Sequence, residues 1–262
     1  MGTADDALWA EFSANGGDVS PVWRELRAAC PEYFAAYADL AAVPWRRGAL
    51  DAKTRELVMV AINAAVTHLN KDEMRRHVRS ALRHGARPEE ILEVFQLVSV
   101  LGIHAISMGF PALKDIATAA GRTGELPGPA LDAHQSSLKE QFQAKRGYWS
   151  PFWEEALKLD PLLFEAYFNF SSIPWTHGVL HPKVREFIYV AIDASTTHMF
   201  DEGTRGHMAN AFKHGATVAE ILEVLEHAAT IGVQSIVEGL PILQEEVAAQ
   251  RAAGAPEAAG AE

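Results

Sequence analysis

From Glu56 the chain reads ELVMVAINAAVTH, and from Glu186 it reads EFIYVAIDASTTH. Both stretches are almost continuously apolar, and the polar residues inside them fall at helical intervals. Positions i, i+7 and i+11 return to nearly the same direction at 100° per residue, so Glu56, Asn63 and Thr67 form a polar stripe on an apolar helix. Glu186, Asp193 and Thr197 repeat it. The pattern predicts a long helix opening at Leu50 or Asp51 and ending near His68. A second helix follows, with Asp72 and Glu202 early, where acids favour the dipole, and Gly85 and Gly215 as its stops. A third begins at Arg87-Pro-Glu-Glu-Ile-Leu-Glu-Val, with Ile91, Leu92, Val94 and Phe95 at helical spacing. Upstream, Ser20-Pro21 and Ser150-Pro151 read as helix starts. A short aromatic helix is expected from about Pro31 to Ala42, followed by a Pro-Trp turn. No segment alternates at period two for long enough to make a strand, so the expected class is all-α.

The two copies are offset by 130 positions without a gap. The same offset pairs Gly17 and Trp23 with Gly147 and Trp153, Phe34 and Tyr37 with Phe164 and Tyr167, and Pro44-Trp45 with Pro174-Trp175. It also pairs Lys53, Arg55 and Glu56 with Lys183, Arg185 and Glu186, and Gly109, Pro111 and Leu113 with Gly239, Pro241 and Leu243. This is a tandem duplication of a unit of ordinary domain length. The expected organisation is a first helical domain over 1–120, a Gly- and Pro-rich linker over 121–133, a second domain over 134–250, and a disordered tail over 251–262.

Composition narrows the function. A net charge of -11 disfavours nucleic acid, whose phosphates require concentrated Lys and Arg. Cys30 is the single cysteine, which excludes a disulfide framework and a CxxC redox centre. The first residues lack the order of a signal peptide, and no unbroken apolar run reaches the length of a membrane span. A cytoplasmic protein without a membrane partner is expected.

The candidate chemistry lies in the duplicated polar residues. Each copy has a Glu, a His twelve residues on and a His nine beyond: Glu56, His68 and His77, then Glu186, His198 and His207. A carboxylate beside an imidazole in an apolar pocket is an acid–base pair that burial and neighbours can tune. Alternatively Glu56 pairs with Arg55 and only caps its helix. A third reading makes each trio a divalent-metal site, since zinc accepts His and carboxylate ligands. His84 and His214 precede the terminating glycines and are read as satisfying helix ends. Arg75 and Arg205 are either clamps for a substrate carboxylate or surface charges. Trp45, Trp175, Phe34 and Tyr37 are read as core.

Lys-x-Arg-Glu-Leu, an apolar helix, a His, Ala-Leu, Gly-Ala and Glu-Glu-Ile-Leu-Glu-Val together resemble the carboxymuconolactone decarboxylase and alkylhydroperoxidase D-like family. Both halves carry the resemblance. It implies two tandem copies of an alkylhydroperoxidase D-like helical unit, assembling as a trimer or dimer of two-domain chains. In the family's peroxidase branch a Glu, a CxxC pair and a His relay protons. The Glu matches Glu56 and Glu186, the final His matches His77 and His207, and His68 and His198 stand where the first cysteine would be. Without the thiolate nucleophile that mechanism is excluded. The decarboxylase branch needs no cysteine. The resemblance therefore implies a cofactor-free lyase acting on a small carboxylated lactone or cyclic keto acid. His77 and His207 would transfer the proton with Glu56 and Glu186 as partners, and His68, His198, Arg75 and Arg205 would hold substrate. The other expectations are a metalloenzyme built on the two Glu/His/His trios and a non-catalytic oligomer that binds a small ligand. Lys71-Asp72-Glu73 against Asp201-Glu202-Gly203, and His104 against Gln234, suggest that the pockets have diverged and that one half serves structure alone.

Overall fold

The computed structural model describes residues 3–15 and 20–253. Every regular element among them is helical. The first half contains α1 (Thr3–Ala14), α2 (Pro21–Ala29), α3 (Pro31–Arg47), α4 (Ala52–Ala64), α5 (Lys71–Arg83), α6 (Pro88–Val98) and α7 (His104–Ala119). The second contains α8 (Ala133–Arg146), α9 (Pro151–Leu159), α10 (Pro161–Ser171), α11 (Ile173–His177), α12 (Pro182–Ala194), α13 (Asp201–Lys213), α14 (Val218–Ala229) and α15 (Gln234–Ala252). Short 3-10 turns join α6 to α7 and α14 to α15. The linker region holds a 3-10 turn over Thr123–Glu125, and α8 opens on an Asp132 cap that accepts from Gln135 N–H. Of the expected tail, 254–262 lies outside the described residues, while Arg251 and Ala252 are the end of α15.

The chain forms two compact units that interleave the sequence halves: residues 1–51 with 217–262, and residues 52–216. In the first unit, α3 packs on α14 and α2 on α15. Its core gathers Phe12, Trp23, Leu26, Phe34, Ala38 and Val233, with Trp23 stacked on Tyr37 at 5.2 Å. Glu223, fully buried, accepts the backbone N–H groups of Ala49 and Leu50 at 2.6 and 3.0 Å.

The second unit is centred on α4 and α12, which pack on each other and on α5, α6 and α13. Leu57, Val60 and Ala61 meet Ile188, Tyr189 and Ile192 in one buried cluster with Val94, Leu97 and Val98. A second cluster joins Phe142, Trp153, Phe164 and Phe168 to Ile103 at the junction of α6 and α7. Each such fully buried aromatic contributes about 1.5–3 kcal/mol by leaving water. Glu93 is the counterpart of Glu223. Its Oε2 accepts from Val179 N–H and Leu180 N–H at 2.5 and 2.8 Å, and its Oε1 accepts from Arg185 Nε at 2.5 Å. The two duplicated glutamates thus hold the turns that lead out of α3 and α11.

Several expectations are corrected. The long helix stops at Ala64 rather than near His68: the N–H groups of His68 and Leu69 both return to Ala65 O, and Leu69 turns left-handed at φ 49°. Ser195, His198 and Met199 (φ 53°) repeat this turn. Thr67 and Thr197 therefore leave the polar stripe and face each other, Oγ1 to Oγ1, at 3.5 Å. The Pro-Trp turn is absent from both halves: in the second, the break falls at Ser172 and Pro174-Trp175 lie inside α11. In the first, Pro44 lies inside α3, because its φ suits a helix and it forfeits one hydrogen bond. Finally, Pro88–Ala119 is one helical stretch of 32 residues whose most apolar 18-residue window has a mean hydropathy of 1.8. By length and composition it does reach the size of a membrane span, although Val94, Leu97 and Val98 on it belong to the core.

Candidate active site

The apolar helices α4 and α12 bury Glu56 and Glu186, and α5 and α13 bring a His to each. In the first half His77 Nδ1 lies 2.7 Å from Glu56 Oε2, and both side chains are buried. Arg76 Nη2 donates to His77 Nε2 at 2.8 Å and is itself held by Glu73 Oε2 at 2.6 Å. A guanidinium can only donate, so Nε2 accepts and the ring proton sits on Nδ1, bonded to Glu56. Burial pushes the Glu56 carboxyl up, but the His77 bond and charge, Ser80 and Arg76 together hold it below its ordinary value. Burial, with Arg76 adding to it, holds His77 down against the pull of Glu56. Both ring nitrogens of His77 are occupied by protein, so this dyad is closed.

In the second half the dyad is the same and its surroundings are not. His207 Nδ1 lies 2.7 Å from Glu186 Oε2, and Tyr189 stacks on the imidazole at 4.4 Å. Gly206 stands where the first half has Arg76, and Gly203 where it has Glu73. Among the described residues, with Asp193 Oδ2 standing 4.0 Å away, no side chain comes within hydrogen-bond distance of Nε2. It opens onto a cavity of about 330 Å³ lined by residues of both sequence halves. Val100, Leu101, Ile103 and His104 come from the first, and Phe142, Arg146, Tyr148, Trp153, Tyr167 and Trp175 from the second. Trp175, expected in the core, is thus a wall of the cavity. Burial pushes the Tyr189 phenol up to about 12 and raises Tyr148 and Tyr167 as well, so all three are neutral donors.

Asp193 projects into this space. It is 1 % exposed, and neither carboxylate oxygen accepts a hydrogen bond. His207 Nε2 and His104 Nδ1 stand 4.0 and 3.9 Å from its two oxygens. Burial pushes its carboxyl up to about 7, against the pull of His207. Gly203 leaves the room it occupies, because a Cβ there would collide with Asp193 Oδ2 and the Phe200 ring. Phe200 in turn stacks on His104 at 3.9 Å. The first half has Asn70 at that position, which caps α5 by accepting from Glu73 N–H. The second half has given up that cap, worth about 1 kcal/mol, for an aromatic wall.

His104 Nδ1 and His198 Nε2 approach to 2.5 Å. Burial, then His198 and His207, hold His104 down to about 3, and burial lowers His198. Arg146, the guanidinium of the lining, donates through Nη2 to Ser171 Oγ at 2.7 Å and lies 5.2 Å from the Trp175 ring, while its Nε is buried and unbonded. Its counterpart in the first half is Gly16.

The remaining expected residues are placed differently. Arg205 is exposed and paired with exposed Asp201, and Arg75 is exposed on α5. Neither lines the cavity, whose guanidinium is that of Arg146. Helical spacing alone could not find Arg146, which arrives from α8. The trios Glu56, His68, His77 and Glu186, His198, His207 do not form metal-ligand clusters: the Glu–His pairs satisfy each other, and His198 turns to His104. Among the described residues the His and carboxylate atoms that converge within 4.8 Å are those of His104, Asp193 and His198. His68 is half-buried with Nε2 unbonded, and burial lowers it against the charge of Glu73. The bonded neighbour of Glu56 is His77. His84 and His214 end α5 and α13 before left-handed Gly85 and Gly215.

The asymmetry gives a direct test. No atom lies within 4 Å of a Cβ built at Gly206, so Gly206→Arg fits and copies the plug of the first half. It should stabilise the protein by roughly 0.5–1 kcal/mol through helix propensity and close His207 to ligands. Denaturant unfolding and turnover, measured on the same preparation, should move in opposite directions.

The profile of the carboxymuconolactone decarboxylase family matches residues 31–120 and 161–245, once in each half. A crystal structure of a candidate gamma-carboxymuconolactone decarboxylase subunit from Burkholderia xenovorans is 41 % identical, covers 96 % of this chain and 100 % of its own, and superposes with a TM-score of 0.89. No curated protein matches.

Proposed function

We infer, from the premise that this chain belongs to the carboxymuconolactone decarboxylase family, that it is a lyase that decarboxylates a small carboxylated lactone or cyclic keto acid in the cavity beside His207. The observation that carries the reading is His207, anchored by Glu186 through Nδ1 and beside a mostly apolar cavity. Decarboxylation needs a carboxylate taken out of water, a carbonyl or unsaturated system to accept the electron pair, and a proton for carbon. The aromatic walls supply the first. As the carbon–carbon bond breaks, the pair delocalises into the substrate's carbonyl and CO₂ leaves. Protonated His207 then delivers Nε2–H to carbon, with Glu186 fixing the ring and balancing its charge. Arg146 anchors the oxygens that stay on the substrate, and the neutral tyrosines donate to the lactone. The closed dyad at Glu56 and His77 takes no part.

Release of CO₂ from a panel of lactone and cyclic keto acids tests the reaction. With a turned-over substrate, Arg146→Met should raise KM about 10–100-fold, the value of a charge-assisted hydrogen bond. An unchanged KM would remove Arg146 from binding, and no CO₂ across the panel would reject the lyase reading.

A further inference from the structure

His104, Asp193 and His198 do not belong to the proton-transfer dyad, yet they converge beside it. Their ligating atoms all lie within 4.8 Å of one another. We propose that they bind one divalent first-row cation per chain, with two imidazole nitrogens and one carboxylate as ligands.

Three observations carry this. The first is Asp193, a fully buried carboxylate aimed at the two histidines whose oxygens accept no hydrogen bond. A buried carboxyl that makes no hydrogen bond is costly, and a cation shared with the two imidazoles is a partner this geometry fits. The second is the short hydrogen bond between His104 Nδ1 and His198 Nε2 at 2.5 Å, whose shared proton a cation can replace. Ligands about 2.0–2.1 Å from a tetrahedral ion stand about 3.3 Å apart, so a small outward shift of the imidazoles admits it. Phe200 fixes the plane of His104 by stacking. The third is a concerted difference between the halves. His68 retains the position of His198, but the counterparts of Asp193 and His104 are the amides Asn63 and Gln234. Asn63 spends its side chain on Met59 O at 2.9 Å. Gly203, where the first half has Glu73, leaves Asp193 its room. A charged ligand, a second imidazole and the space for them, drawn from both halves of the chain, occur together at one place. Two imidazoles and a carboxylate favour zinc, cobalt or iron over calcium and magnesium. Nothing in this inference depends on the lyase reading, because it concerns binding alone.

The test is a Co²⁺ titration of the full chain after chelation, followed by visible absorption, with Zn²⁺ as competitor. One equivalent should bind and raise a ligand-field band. Asp193→Asn and His104→Gln install the residues of the duplicated positions, Asn63 and Gln234, and should each weaken binding at least about 100-fold, beyond the usual loss from a neighbouring-shell change. His198→Gln should do the same, and His68→Gln should change nothing, with circular dichroism reporting the fold of each variant. No band at millimolar cobalt would overturn the site, as would equal affinity in folded Asp193→Asn and His104→Gln. Two equivalents, with one lost in His68→Gln, would also overturn it.

Discussion

His207→Asn should lower kcat by about 10²–10⁴-fold, the usual contribution of a positioned proton donor, while His77→Asn should leave turnover near that of the parent. The two histidines occupy equivalent places in the repeat, and each is bonded to a buried glutamate at 2.7 Å. They differ at Nε2. That of His77 accepts from Arg76, whereas that of His207 faces the cavity. The effect of His77→Asn belongs to stability instead. Asparagine cannot span both Glu56 and Arg76, and stranding buried polar groups costs about 1–3 kcal/mol. Steady-state kinetics and urea unfolding on both variants read the difference. Equal losses of turnover would mean that both dyads work and that Arg76 is displaced in solution.

Glu93→Ala should destabilise the protein by about 3–5 kcal/mol, because removing one partner of a buried ion pair leaves the other uncompensated. Glu93 and Arg185 are both buried. The carboxylate holds Arg185 and two backbone N–H groups that begin the approach to α12. There is no spare space for a rearranged pair, since a Cβ at Gly178 would collide with Glu93, Arg185 and Pro174 O. Exposed Glu89, four residues earlier on the same helix, is the control. Its replacement by Ala should shift stability by less than about 0.5 kcal/mol. Chemical denaturation decides, and a loss below that of a surface substitution would show that the turn stands without the carboxylate.

Much of this was legible in the sequence because it repeats. The offset of 130 positions, the helical class, the glycine stops and the separation of Glu from its second His all follow from periodicity and duplication. What stayed hidden depends on contacts between distant segments. Asp193 looked like a member of a polar stripe, although its partners arrive from α7 and the turn after α12. Arg146 arrives from α8, well upstream of α12, while Arg75 and Arg205 attracted the role by proximity in sequence. The end of α4 was read too far along because Val66 continues the apolar pattern while the backbone has already turned. Trp175 was read as core because large aromatics usually are. The clue available was difference rather than likeness: Gly203 against Glu73 and His104 against Gln234 mark the two places where the cavity opens.

The cavity draws its walls from both halves of the chain, so a single repeat standing alone would have to meet a second copy to complete it. Covalent fusion replaces that encounter with an effective concentration set by the short connection between the repeats. It also removes the demand of symmetry. In an assembly of identical units every site must carry every residue, so a plug such as Arg76 would close all of them together. Within one polypeptide, mutations in one copy leave the other untouched, and one Glu–His pair can become a rigid internal brace while its twin gives up rigidity for access.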